Sequence, residues 1–195
     1  IKINNSENEN LFAYAIAPGN CLIDEWIRKK SNKKFDFNGD IASSGKINDL
    51  ILNQTIDNFN IKDLNNSLDI KNFDISFARG LGLEDGCATI TKYTAYLISE
   101  GLKKIDEINN LKTTNLYLCG GGRKNKTLIK NIDEYLNDKK INLKNIDEYE
   151  FDGDFIESQA FAYLAIRSYL GLPISYPNTT RTLKPISGGI IEKNY

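Results

Sequence analysis

Between residues 84 and 105 the side chains fit for burial fall at steps of three and four: Cys87, Ile90, Thr94, Leu97, Ile98, Leu102 and Ile105. That period turns one stripe of a helix inward and demands something for the stripe to pack on. Gly86 and Gly101 weaken the helix slightly. The flanks supply the partners. Residues 11–17 (LFAYAIA) form an apolar run stopped by Pro18 and Gly19, which predicts a buried strand and a tight turn. Asn20 stands where it can cap a helix whose apolar face is Leu22, Ile23, Trp26 and Ile27. Helices are also expected over 41–56, 124–136 and 154–170, and strands over 115–119 and 146–151. Residues 29–40 and 57–82 are polar and read as irregular, as does the tail carrying Gly171, Pro173, Pro177 and Pro185. Strands alternating with helices predict an α/β domain with helices on a sheet.

Composition narrows the chemistry. The 195 residues include no His and no Met, and the net charge is -1. Without His there is no Ser-His-Asp or Cys-His nucleophile and no His-ligated metal. Balanced charge argues against a nucleic-acid or membrane-surface binder. The 41% hydrophobic content suits a globular domain with a real core. No apolar run approaches the roughly 18 residues of a membrane-spanning helix, and the first residues lack the apolar segment of a signal peptide. Cys21, Cys87 and Cys119 are odd in number and widely spaced, which fits a reducing cytoplasm better than a disulfide framework. The missing Met leads to the expectation of a partial chain.

Four places can carry chemistry. In LYLCGGGRKNKTLI, three glycines between a strand and a helix let backbone approach a ligand, with Arg123 and Asn125 close by. A tight strand-to-helix turn is the alternative. Asn20 and Asp24 lie one helical turn apart and either line a cleft or serve as a cap and a solvated acid. Asp154 and Glu157, after Asp152 and Gly153, form a carboxylate pair at a helix start, for sugar hydroxyls, a hydrated Mg²⁺ or the helix dipole. The tail around Ser175, Tyr176, Asn178, Thr179 and Thr180, with Gly188 and Gly189, offers hydroxyls to a phosphate or sugar, or is a surface loop.

Taken in order, APGNCLIDEWI, ASSGKIN, LEDGCATITKYTAYLI, LYLCGGGRKNKTLI, DGDFIESQAFAYLAIR and GLPISYPNTT followed by SGG resemble the C-terminal lobe of the anhydro-N-acetylmuramic acid kinase family. That family belongs to the actin-like, hexokinase-like ATPases. The resemblance implies a ribonuclease H-like α/β lobe over residues 1–195, with a mixed sheet flanked by helices. It implies a two-lobed sugar kinase, homodimeric, with ATP and Mg²⁺ between the lobes. The family opens the 1,6-anhydro ring of anhydro-N-acetylmuramic acid and phosphorylates O6, in peptidoglycan recycling. A water attacks C1 with help from a carboxylate base. By the same resemblance Gly120, Gly121, Gly122 and Asn125 shape the adenosine side, while Asn20 and Glu157 meet the sugar substrate.

The chain departs from the family pattern at several positions. Tyr14, Ala15, Ile16 and Ala17 stand where the family has Phe-Asp-Thr/Ile-Gly, so the base position is Ala15, which accepts no proton. Asp24 is kept but lies on the following helix. Asn65, Asn66 and Ser67 replace Pro-Lys-Ser, and Arg181 replaces a Gly after Thr-Thr. The N-terminal lobe, with its phosphate-binding glycines, has no counterpart in the resemblance. The chain alone is therefore expected to lack turnover. It is expected either to pair with a separate N-terminal polypeptide or to be a degenerate lobe keeping binding or only the fold.

Overall fold

The computed structural model describes residues 12–59, 73–109, 114–137 and 141–192. The chain divides into two compact units, the larger over residues 15–153 and the smaller combining residues 1–14 with 154–195. The larger unit runs α1 (Cys21–Lys30), α2 (Asp40–Ser44), α3 (Asp49–Asn58), α4 (Leu83–Asn109), β1 (Thr114–Leu118), α5 (Lys126–Leu136) and β2 (Ile141–Asn145). The smaller holds α6 (Ile156–Tyr169) and α7 (Pro177–Thr180).

The long helix foreseen over 84–105 is α4, and it packs against α1, α2, α3 and α5. Between Gly86 and Leu97 it is buried nearly all round rather than on one stripe, with Lys92 and Tyr96 as the partly exposed exceptions. Four neighbouring helices explain this, because a helix enclosed on every side loses its solvent face. Gly86 gains its meaning here. A Cβ at that position would fall inside the Trp26 indole, so glycine is what lets α1 approach α4 closely. The Trp26 indole N–H donates to the Leu83 carbonyl at 2.9 Å and fixes the approach. Leu22, Ile23 and Ile27 of α1, Cys87, Ile90 and Leu97 of α4, and Leu128, Ile132 and Leu136 of α5 form the core.

β1 and β2 pair in parallel, with Leu116 opposite Leu143, and α5 makes the crossover that parallel strands need. Among the described residues the sheet has these two strands and both are parallel, so the mixed sheet is not found. The architecture is a mixed α/β fold of helices around a small parallel sheet.

Three segments differ from expectation. Residues 12–17 are irregular and not a strand, because no neighbour among the described residues closes a ladder with them. Residues 41–56 split into α2 and α3. Asn48 starts the second helix, its Oδ1 accepting the Ile51 N–H at 3.0 Å, while its own N–H donates to Thr89 Oγ1 at 3.0 Å. The strand expected at 146–151 lies earlier, at β2. There Asn145 accepts the Asp147 N–H at 3.1 Å and turns the chain into a 3₁₀ segment, Ile146–Tyr149, followed by Glu150 at φ 64°.

In the smaller unit α6 buries none of its residues, and Phe161, Tyr163, Ile166 and Tyr169 are exposed. The tail is more ordered than its prolines suggest. Ser175 and Ile186 form an antiparallel bridge, and α7 starts at Pro177. No helix among the described residues is long and apolar enough to cross a membrane.

Candidate functional site

The glycine run after β1 is held by a polar network. Gly120 has φ 71° and ψ -176°, a conformation essentially confined to glycine, and a Cβ there would meet nothing within 4 Å. Conformation alone therefore demands glycine at this position. The Gly120 N–H donates to the Gly153 carbonyl at 2.9 Å, and its carbonyl accepts from Arg123 Nη1 at 3.0 Å. Arg123 Nε meets the two Asp147 oxygens at 3.1 and 2.9 Å, and Asp147 Oδ1 also accepts the Gly153 N–H at 2.8 Å. The hydrogen bond from Arg123, then that from Gly153, holds the Asp147 carboxyl below its usual range. Arg123, which the sequence places close to the turn, fastens it, because its almost fully buried guanidinium is committed to Gly120 and Asp147. Of the Asp-Gly-Asp stretch, it is the Gly153 backbone that takes part in this network.

Asn125 is buried and caps α5, its Oδ1 accepting the Leu128 N–H at 2.9 Å. Its acceptor thus faces the helix. Next to it the Thr127 hydroxyl donates to the Gly39 carbonyl at 2.7 Å.

Asn20 behaves differently. It precedes α1 in the N-cap position, yet its backbone is helical (φ -72°, ψ -6°) and its side chain makes no capping bond. Its Oδ1 is buried with no hydrogen-bond partner. A Cβ on Gly121 would lie 3.9 Å from Asn20 Nδ2, and one on Gly122 would lie 3.9 Å from Asn20 Oδ1. The structure thus brings together two stretches that the sequence singled out separately, Pro18–Gly19–Asn20 and Gly120–Gly121–Gly122.

One turn along α1, burial lifts the Asp24 carboxyl above its usual range, with Arg28 opposing and Asp36 adding to the rise. Asp36 was missed from sequence. It is buried, and its two oxygens accept the Ile41 and Ala42 N–H groups at 2.8 and 3.0 Å, which caps α2. The Cys87 thiol donates to it at 3.5 Å. Burial, then the Asp36 charge, pushes that thiol far above the ordinary range. An acid a few residues ahead of a short helix was the available signal.

Ala15 is exposed on irregular backbone. Glu157 is exposed in the first turn of α6, in the smaller unit. Asn65, Asn66 and Ser67 lie outside the described residues. Arg181 follows α7 in the left-handed region at φ 58°, where a glycine is at ease. In the tail, Arg167 donates to the Pro173 carbonyl at 2.7 Å and to the Tyr176 hydroxyl at 2.9 Å, so that hydroxyl serves the unit's own structure. Among the described residues no group of three His, Cys, Asp or Glu could hold a metal ion.

Comparison with known proteins agrees with the arrangement of motifs. The family model for anhydro-N-acetylmuramic acid kinase matches residues 4–194. A curated anhydro-N-acetylmuramic acid kinase of Pelagibacter ubique is 50% identical over 96% of this chain and 50% of its own length. Its counterpart from Methylorubrum populi is 34% identical over 94% of this chain and 47% of its own. That of Zymomonas mobilis is 33% identical over 95% and 49% respectively. The chain spans about half the length of the curated relatives it matches. With every described element inside the matched range, this chain belongs to the anhydro-N-acetylmuramic acid kinase family.

Proposed function

We propose that this chain is the C-terminal, ribonuclease H-like lobe of a two-lobed sugar kinase. In the cytoplasm such a kinase phosphorylates 1,6-anhydro-N-acetylmuramic acid with ATP, opens its ring and yields N-acetylmuramic acid 6-phosphate. The observation that carries this reading is the family match over residues 4–194. The glycine turn supports a nucleotide on this lobe. Gly121 and Gly122 present bare faces beside an acceptor, Asn20 Oδ1, that lacks a donor. These residues fit a nucleoside, and ATP, when bound, supplies the phosphoryl group. The Arg123–Asp147 pair holds the turn that the nucleotide meets, so the turn does not reorganise on binding. Glu157 is assigned to the sugar side together with the N-terminal lobe. Mg²⁺ has no protein ligand set among the described residues, and no step is drawn through it.

On this reading the chain alone does not turn over the sugar. Ala15 stands where the family's base belongs, and the phosphate-binding glycines lie in the other lobe, supplied as a separate polypeptide or as the rest of a longer chain. The whole kinase is a homodimer on the same family grounds. The test is ATP-dependent phosphorylation of the anhydro sugar by the chain alone, by the chain with an N-terminal lobe added, and by that pair with Ala15→Asp. The reading expects no product from the chain alone and a clear rise with Ala15→Asp in the pair. Product formed by the chain alone, and lost on mutating one of its own residues, contradicts the half-enzyme reading.

A further inference from the structure

We infer that Asn20 is a nucleoside-contacting residue, whose side-chain carbonyl accepts a hydrogen bond from an N–H or O–H donor on the uncharged part of the nucleotide, beside Gly121 and Gly122. This rests on the reading that the glycine turn faces the nucleotide, and it moves Asn20 from the sugar to the nucleoside. Three observations carry it. Asn20 occupies the N-cap position of α1 but does not cap, so the usual structural reason for Asn there is missing. Its Oδ1 is buried without a donor, and an unmet buried acceptor destabilises a fold unless something arrives to satisfy it. Its two polar atoms lie 3.9 Å from where Cβ atoms on Gly121 and Gly122 would stand, so the glycine turn that the nucleotide meets is the backbone beside them.

The chemistry of the donor follows from charge. A carbonyl oxygen repels a phosphate, and Arg123 in the same turn is committed to Asp147 and Gly120. The group that reaches Asn20 is therefore a neutral donor, a ribose hydroxyl or the amino group of the base.

Calorimetric titration of the wild-type chain, Asn20→Leu and Asn20→Asp with adenosine tests this. Asn20→Leu is expected to bind adenosine about tenfold more weakly, the worth of one good hydrogen bond. Its melting temperature without ligand is expected to stay level or rise, since an orphan acceptor has been removed. Asn20→Asp keeps an acceptor of the same shape and is expected to stay within about threefold of wild type. Analogues lacking the 2′-hydroxyl, the 3′-hydroxyl or the base amino group identify the donor. The missing one weakens binding to wild type and not to Asn20→Leu. Equal adenosine affinity in wild type and Asn20→Leu overturns the inference and leaves the nucleotide reading standing. A lowered melting temperature with all analogues weakened alike shows a structural role and also overturns it. No binding of adenosine or ADP by the wild-type chain removes the nucleotide reading itself, and this inference with it.

Discussion

Arg123 grips Asp147 through both carboxylate oxygens, at 3.1 and 2.9 Å, while a second guanidinium nitrogen holds the Gly120 carbonyl at 3.0 Å. The pair bridges the end of β1 to the 3₁₀ segment after β2. Arg123→Ala removes the side-chain donor from the Gly120 carbonyl and from the Asp147 carboxylate at once and is expected to lower the unfolding free energy of the chain. Urea unfolding followed by circular dichroism measures it.

The same pair gives a pH signature. Because the Asp147 carboxyl is held below its ordinary value of 3.8, its stabilising effect is complete above that value and lost as pH falls through the depressed one. The difference in melting temperature between wild type and Asp147→Asn is expected to be constant from about pH 5 to 7 and to shrink below about pH 4. Thermal melts across that range read it directly.

Gly120→Ala isolates conformation from packing, because nothing lies within 4 Å of a Cβ at Gly120. The expected loss is about 1–3 kcal/mol, all of it from forcing φ 71° on a side-chain-bearing residue. A loss near zero in the unfolding free energy would mean that the turn adopts another conformation.

The cysteines should separate cleanly by reactivity. Cys87 is buried and its thiol is held protonated by burial and by Asp36, whereas Cys119 is exposed. Mass spectrometry after iodoacetamide treatment of the folded chain at pH 8 is expected to find Cys119 modified and Cys87 intact until denaturant is added.

Arg181 tests whether a family departure weakens the fold. Its φ of 58° is strained for any residue with a Cβ. Arg181→Gly is expected to raise stability by about 1 kcal/mol in thermal unfolding, since glycine removes that strain.

The α4 helix was legible because seven inward positions repeat over many turns, and a long periodic signal survives any single exception. β2 was not. Ile141-Asn142-Leu143-Lys144-Asn145 has only two apolar residues, and its pairing with β1 is fixed by a partner distant in sequence. The break between α2 and α3 was hidden because Asn48 reads equally as a helix interior or a cap until Thr89 of another helix takes its N–H. At the site, the residue types of Asn20 and Gly120–Gly122 were visible, but their meeting depends on the tertiary approach of the residue before α1 to the turn after β1. The role of Arg123 was not legible, because a cation beside a glycine run looks the same whether it awaits an anion or already holds Asp147.

The most direct test of a nucleotide at the glycine turn is amide hydrogen exchange on the 195-residue chain with and without saturating ADP. The expected result is slowed exchange in peptides covering residues 115–125 and 18–24, with α6 unchanged. Unchanged exchange in both of those peptides while ADP is bound would contradict it.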